Sequence, residues 1–167
     1  NNTINYLGFE EDMFEEFEIE EDDKEITAYV KLKRLPNQTC IHCKSKNIII
    51  KEYKVKTINH KHFTGKQCFI KYKKRRYLCR DCKKTFYEHN PFSFANESVS
   101  VETVLYVLDE LKSTQAFKSV ALKAGISQKK VVQIFDKYVD IPREPMPKIL
   151  GIDEFHYKST GDEKYAC

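Results

Sequence analysis

The sequence predicts an α+β chain assembled from several small modules. Three observations carry that prediction. Two Cys-x-x-Cys pairs, Cys40 with Cys43 and Cys79 with Cys82, flank segments that alternate in polarity as strands do. After Pro91 the apolar spacing lengthens from two to three and four, the period of helices. Three prolines within residues 141–147 then interrupt the chain before a last apolar run at 148–155, KILGIDEF. The expected division is an acidic N-terminal arm at 1–30, a β-rich cysteine module at 31–92, a three-helix unit at 96–140, a stiff linker at 141–147 and the opening of a further domain at 148–167.

Composition bounds what such a chain does. Of 167 residues, 32% are charged and the mean hydropathy is −0.61, which limits core size and favours small modules joined by exposed segments. No apolar run reaches the roughly 18 residues of a membrane helix, and no membrane partner is expected. The first residues are polar and then acidic, unlike a signal peptide, so a cytoplasmic location is expected. The chain starts with Asn, consistent with a piece of a longer protein. Its net charge of +4 conceals a segregation: residues 1–30 carry 11 acids against one Lys, and residues 31–90 carry 18 bases against three acids. A segment that basic seeks an anion, and nucleic acid is the usual one.

Taken in order, FEEDMFEEFEIEEDDKE at 9–25 reads as a solvated arm or as a short amphipathic helix folding back on the basic module. Residues 26–35, 48–58 and 66–78 read as strands, the last two with a wet, positive face, joined through Asn59 to Gly65. A helix is expected near 100–112, capped by Ser98 or Ser100, followed by helical segments at 114–123 and 127–139. At 141–147 the prolines preclude helix and mark a boundary.

Cys40, Cys43, Cys79 and Cys82 fit a tetrahedral zinc site built from two hairpin tips. Two intervening residues let both thiolates of a pair face one ion, and nearby Lys and Arg favour the thiolate. Disulfides are disfavoured in a reducing compartment, and redox Cys-x-x-Cys motifs rarely come as matched pairs. Cys68 reads as a small apolar residue, and His42, His60 and His62 as surface residues. Between the pairs, Lys71, Lys73, Lys74, Arg75 and Arg76 alternate with Tyr72 and Tyr77, a composition suited to phosphate contacts.

Within 117–136, FKSVALKAGISQKKVVQIFD has the pattern of a helix-turn-helix. Ala121 is small where two helices would cross, Gly125 permits a left-handed turn, and Val120, Ala124, Ile126, Val131 and Ile134 fall inward. Ser127 would cap the second helix. Ser127, Gln128, Lys129, Lys130 and Gln133 would then stand at its exposed start, within reach of base edges and phosphates.

The succession of paired knuckles with YLCRDCKKTF, helix-turn-helix, proline-rich linker and LGIDEF resembles the N-terminal portion of ISL3-family insertion-sequence transposases, over residues 36–167. That resemblance implies a zinc ribbon and a helix-turn-helix that recognise double-stranded DNA at transposon ends, followed by the first strands of a ribonuclease-H-like domain. It also implies that Asp153 is the first acid of an Asp-Asp-Glu triad binding two Mg²⁺ ions in a complete catalytic domain, whose activity is DNA cleavage and strand transfer. Only one triad position matches this chain, so the expectation is a truncated transposase that binds DNA without cutting it. A homodimer is one arrangement open to such a protein. Two other functions compete: a stand-alone zinc-ribbon/helix-turn-helix transcriptional regulator, and a scaffold for RNA. The KILGIDEF strand favours the transposase.

Overall fold

The computed structural model describes residues 10–113, 116–140 and 142, together with the backbone of 155–159 and 162–166. A single 3-10 turn at Glu11–Met13 leads into β1 (Phe14–Glu21) and β2 (Glu25–Leu32). The acidic stretch expected as an arm or helix is thus a strand. Phe14, Phe17 and Ile19 pack on the main sheet core while Glu16, Glu18 and Glu20 stay wet. Asp22 sets the turn into β2, its carboxylate accepting from the N–H groups of Lys24 and Glu25.

β3 (Ile48–Phe63) and β4 (Lys66–Cys79) form a long antiparallel hairpin. Its turn is narrower than the expected Asn59–Gly65 connection, because β3 runs on to Phe63. Thr64 and Gly65, with φ of 50° and 80°, make the reversal. The sheet order is β1-β2-β4-β3, with β2 parallel to β4, and β5 (Thr85–Tyr87) pairs with β4 near its C-terminal end. Sixteen residues of strand extend about 50 Å, so the two ends of β3 serve different neighbours.

The covered face of β4 changes along its length. Cys68, Ile70 and Tyr72 are buried toward one side, then Arg75, Tyr77 and Cys79 toward the other. The first set joins Ala28, Val30, Ile58 and Phe92 in the main sheet core. Tyr77 and Cys79 join Cys40, Ile48 and Phe86 in a small core at the cysteine end. Lys71 and Lys73 therefore lie on the opposite face from Lys74 and Arg76.

Three helices follow: α1 (Val101–Glu110), α2 (Phe117–Ala124) and α3 (Gln128–Tyr138). Ser100 caps α1 by accepting from Thr103 N–H, and Ser127 caps α3 by accepting from Lys130 N–H. Gly125 ends α2 at φ 69°. Their shared core holds Val104, Val107, Val120, Ala121, Ala124, Val131 and Ile134.

This helical unit sits on the turn end of β3. Asn59 exchanges backbone hydrogen bonds with Ser98 and Ser100, and His60 Nδ1 lies 2.8 Å from Ser100 Oγ. His60, expected at the surface, is buried because it holds this joint. Gly125 abuts the His62 ring so closely that a Cβ there would lie 2.1 Å from His62 Cδ2. Beyond the helices, β6 (Phe155–Ser159) and β7 (Asp162–Ala166) pair as a hairpin. Residues 141 and 143–147 of the expected linker, and the opening of the final strand with Asp153 and Glu154, lie outside the described residues.

Candidate metal centre and nucleic-acid interface

The cysteine end is built from two copies of one local design. In each, the residue after the second cysteine takes a left-handed conformation: Lys44 at φ 62° and Lys83 at φ 61°. The first cysteine's N–H is tied back five residues on, Cys40 to the Ser45 carbonyl at 2.8 Å and Cys79 to the Lys84 carbonyl at 3.0 Å. His42 N–H points at Cys40 Sγ (3.4 Å). The copies are latched by Asp81, which accepts from Ser45 Oγ and from Asn47 Nδ2 (2.8 Å). Sequence reasoning missed Asp81, an acid inside a basic knuckle; its being the sole acid there was the available signal.

All four Sγ atoms lie within 4.8 Å of one another, with Cys40–Cys82 and Cys43–Cys79 each at 3.6 Å. A tetrahedral ion with Zn–S bonds of about 2.3 Å holds its sulfurs about 3.8 Å apart, so the cluster matches zinc and is far too open for disulfides. The thiols behave as a set. For Cys40, burial works upward but the N–H groups of Cys43 and His42 outweigh it and bring the thiol down to about 7. For Cys79, the Cys82 N–H leads a downward shift. Cys43 moves to about 12: the Ser45 N–H lowers it, but desolvation and hydrogen bonds with the other three thiols prevail. Backbone N–H groups aimed at the sulfurs favour thiolate at Cys40 and Cys79, as ligands to a cation require. These residues fit a structural zinc, which would supply folding energy to an end with a five-residue core.

The basic residues of β4 divide on inspection. Arg75 is 2% exposed; its guanidinium donates to Glu88 (2.9 Å), to the Leu32 carbonyl (2.8 Å) and to Glu15. It is a structural ion pair and leaves the set of expected phosphate contacts, because the strand's change of covered face carries position 75 inward. Lys73 meets Glu16 at 3.4 Å, and Lys71 Nζ donates to Tyr29 Oη (3.2 Å), beside the acids of β1. On the other face, Arg76 pairs with Glu52 (2.7 Å), and Lys74 stands across from Lys54. Lys44, Lys46, Arg80, Lys83 and Lys84 stand exposed or partly exposed around the knuckles.

On α3, Ser127, Gln128, Lys129 and Gln133 are exposed. Lys130 is turned aside to Glu97 (2.6 Å), which Lys137 also meets at 2.8 Å. Both lysines hold the Glu97 carboxyl below the usual carboxylate range, Lys130 most strongly.

Residues 36–82 match the family model described as the zinc-finger of transposase IS204/IS1001/IS1096/IS1165. Curated proteins and solved structures yield no match to the chain. The matched segment contains all four clustered cysteines, so this chain carries a transposase-type zinc ribbon, a module of nucleic-acid-binding proteins. Among the described residues no helix is long and apolar enough to cross a membrane.

Proposed function

We propose that this chain is the DNA-recognition part of a transposase, specific for the terminal inverted repeats of its element. The observation that carries the reading is a conjunction. A transposase-type ribbon at 36–82 is packed, through Asn59, His60 and Gly125, against a helix pair whose second member leaves Ser127, Gln128, Lys129 and Gln133 in solvent. In this reading α2 and α3 act as a helix-turn-helix. Gln128 and Gln133 read base edges, Ser127 and Lys129 meet the backbone, and Lys74, Arg76 and the knuckle lysines add phosphate contacts. The acids of β1 leave the Lys71 and Lys73 face the weaker candidate.

Residues 148–167 belong to the proposal as the opening of a ribonuclease-H-like domain. Asp153 would be one of several carboxylates holding divalent cations, which supply Lewis-acid activation in phosphodiester cleavage.

Fluorescence anisotropy tests the reading with the zinc-loaded chain, a duplex bearing the element's terminal repeat and a shuffled duplex. The expected outcome is a preference of about 10³-fold for the repeat, with affinity falling steeply as salt rises. Equal affinity for both duplexes and for structured RNA would overturn it in favour of a scaffold.

A further inference from the structure

A cleft of about 900 Å³ separates the Lys74 face of β4 from the 88–98 connection, and neither the metal centre nor the exposed start of α3 makes use of it. Its walls are basic and aromatic: Lys56, Lys74, Tyr87, His89 and Phe94 face the space. Both ammonium groups rest on neutral partners. Lys56 donates to Ser93 Oγ (2.9 Å), and Lys74 Nζ lies 4.0 Å from the centre of the Tyr87 ring, which Arg76 also approaches at 5.6 Å. The two acids of the lining are already engaged, Glu88 by Arg75 and Glu97 by Lys130 and Lys137. The cleft therefore presents positive charge with no carboxylate held in reserve. Burial, and then the charge of Lys74, hold Lys56 below the usual lysine range, against a smaller opposing pull from Glu97.

Two rings stand partly open although each has a neighbour, Lys74 on Tyr87 and Tyr138 on Phe94: they are 39% and 37% exposed. Phe94 also meets Tyr138 of α3 at 5.6 Å, so the rim of the cleft continues onto the helix assigned above to duplex reading. A duplex hides its base faces inside its own stack, and exposed rings in a concave basic cleft cannot reach them. An unpaired strand offers both a free base face and a flexible backbone, and each suits one part of this lining.

We propose that the cleft binds an unpaired stretch of a DNA strand, Lys56 and Lys74 meeting phosphates while Tyr87 and Phe94 stack on bases. This rests on the DNA-binding reading given above and adds a second, chemically different contact to it. A duplex frayed or nicked where α3 engages it would hand its loose strand to the cleft.

The test uses the zinc-loaded full chain with fluorescein-labelled (dT)8, the same oligomer in ribose form, and the blunt terminal-repeat duplex. Wild-type protein should bind (dT)8, and the double variant Lys56→Gln, Phe94→Leu should bind it about tenfold more weakly, as loss of a stacking partner predicts. The same variant should hold the blunt duplex within about twofold of wild type. Crosslinking a 5-iodouridine-substituted (dT)8 to wild-type protein, followed by peptide mapping, should mark Tyr87 or Phe94 without any substitution. No binding of (dT)8, crosslinks elsewhere, an unchanged variant or a tighter ribose oligomer would each overturn the proposal. A variant equally impaired on the blunt duplex would assign the cleft to duplex binding and overturn it as well. Failure of the duplex arm in wild type, with (dT)8 still bound, would sink the inverted-repeat reading instead.

Discussion

Arg75 and Lys73 stand two positions apart in one strand, yet one is structural and the other solvated. In a run written KYKKRRY, charge alone gives every cation the same standing. What separates them is the change of covered face between Tyr72 and Arg75, where two exposed or half-exposed lysines follow each other. Replacing Arg75 by Met should leave Glu88, whose side chain is 9% exposed, without its cation. The expected loss is roughly 3 kcal/mol in urea unfolding, with the slope of DNA affinity against salt unchanged. A change in that salt slope at full stability would mean that Arg75 faces phosphate. The cysteines were legible for the opposite reason. A two-residue spacing, repeated, restricts the sulfurs to one ion, whatever the strands around them do.

At the scale of elements, the helices were read within a few residues because caps and turn residues have local causes. Ser100, Gly125 and Ser127 act where the pattern put them. β1 was illegible because Phe14, Phe17 and Ile19 among glutamates suit a helix face or a disordered arm as well as a strand. Its partner, the edge of β2, is fixed only by tertiary pairing. Ser127→Ala should cost about 1 kcal/mol of stability by removing the Lys130 N–H acceptor, measured by thermal or urea unfolding. Gly125→Ala should cost more, since it meets both a left-handed φ and the His62 ring at 2.1 Å. Should the alanine at 125 prove neutral, the seating of α2 against β3 would be wrong.

At the scale of the molecule, the described residues form three separate cores along one hairpin, and the cysteine cluster belongs to the smallest. The sequence already implied that the helices and the cysteine end would not share a core. It did not reveal the main sheet core between them, which needs β1 and β2. Chelation should therefore release amide protection at 40–50 and 77–87 first, read by hydrogen exchange, while 101–138 stays protected. Simultaneous loss would show a single cooperative unit. A second prediction concerns pH at the joint of sheet and helices. Burial, with a smaller push from Lys61, lowers His60 to about 4 from its ordinary 6.5. The unfolded chain takes up that proton below about pH 6.5 and the folded one does not. Stability should thus be intact above 6.5 and decline toward pH 4, by roughly 3 kcal/mol, in a manner lost in His60→Gln. A pH-independent difference between the two proteins would exclude His60 as the cause.

The parallel seat of β2 beside β4 has one more consequence. Residues 14–32 are synthesised before their partner strand at 67–72, so the β1–β2 hairpin waits with its apolar side bare until the chain doubles back. Conversely, a segment cut to the family boundaries, 36–82, would present the outer margin of β4 with a row of unmet N–H and C=O groups. Such a piece would hold its metal and stick to its own kind. In the longer chain β2 covers that margin, and β1 in turn covers β2.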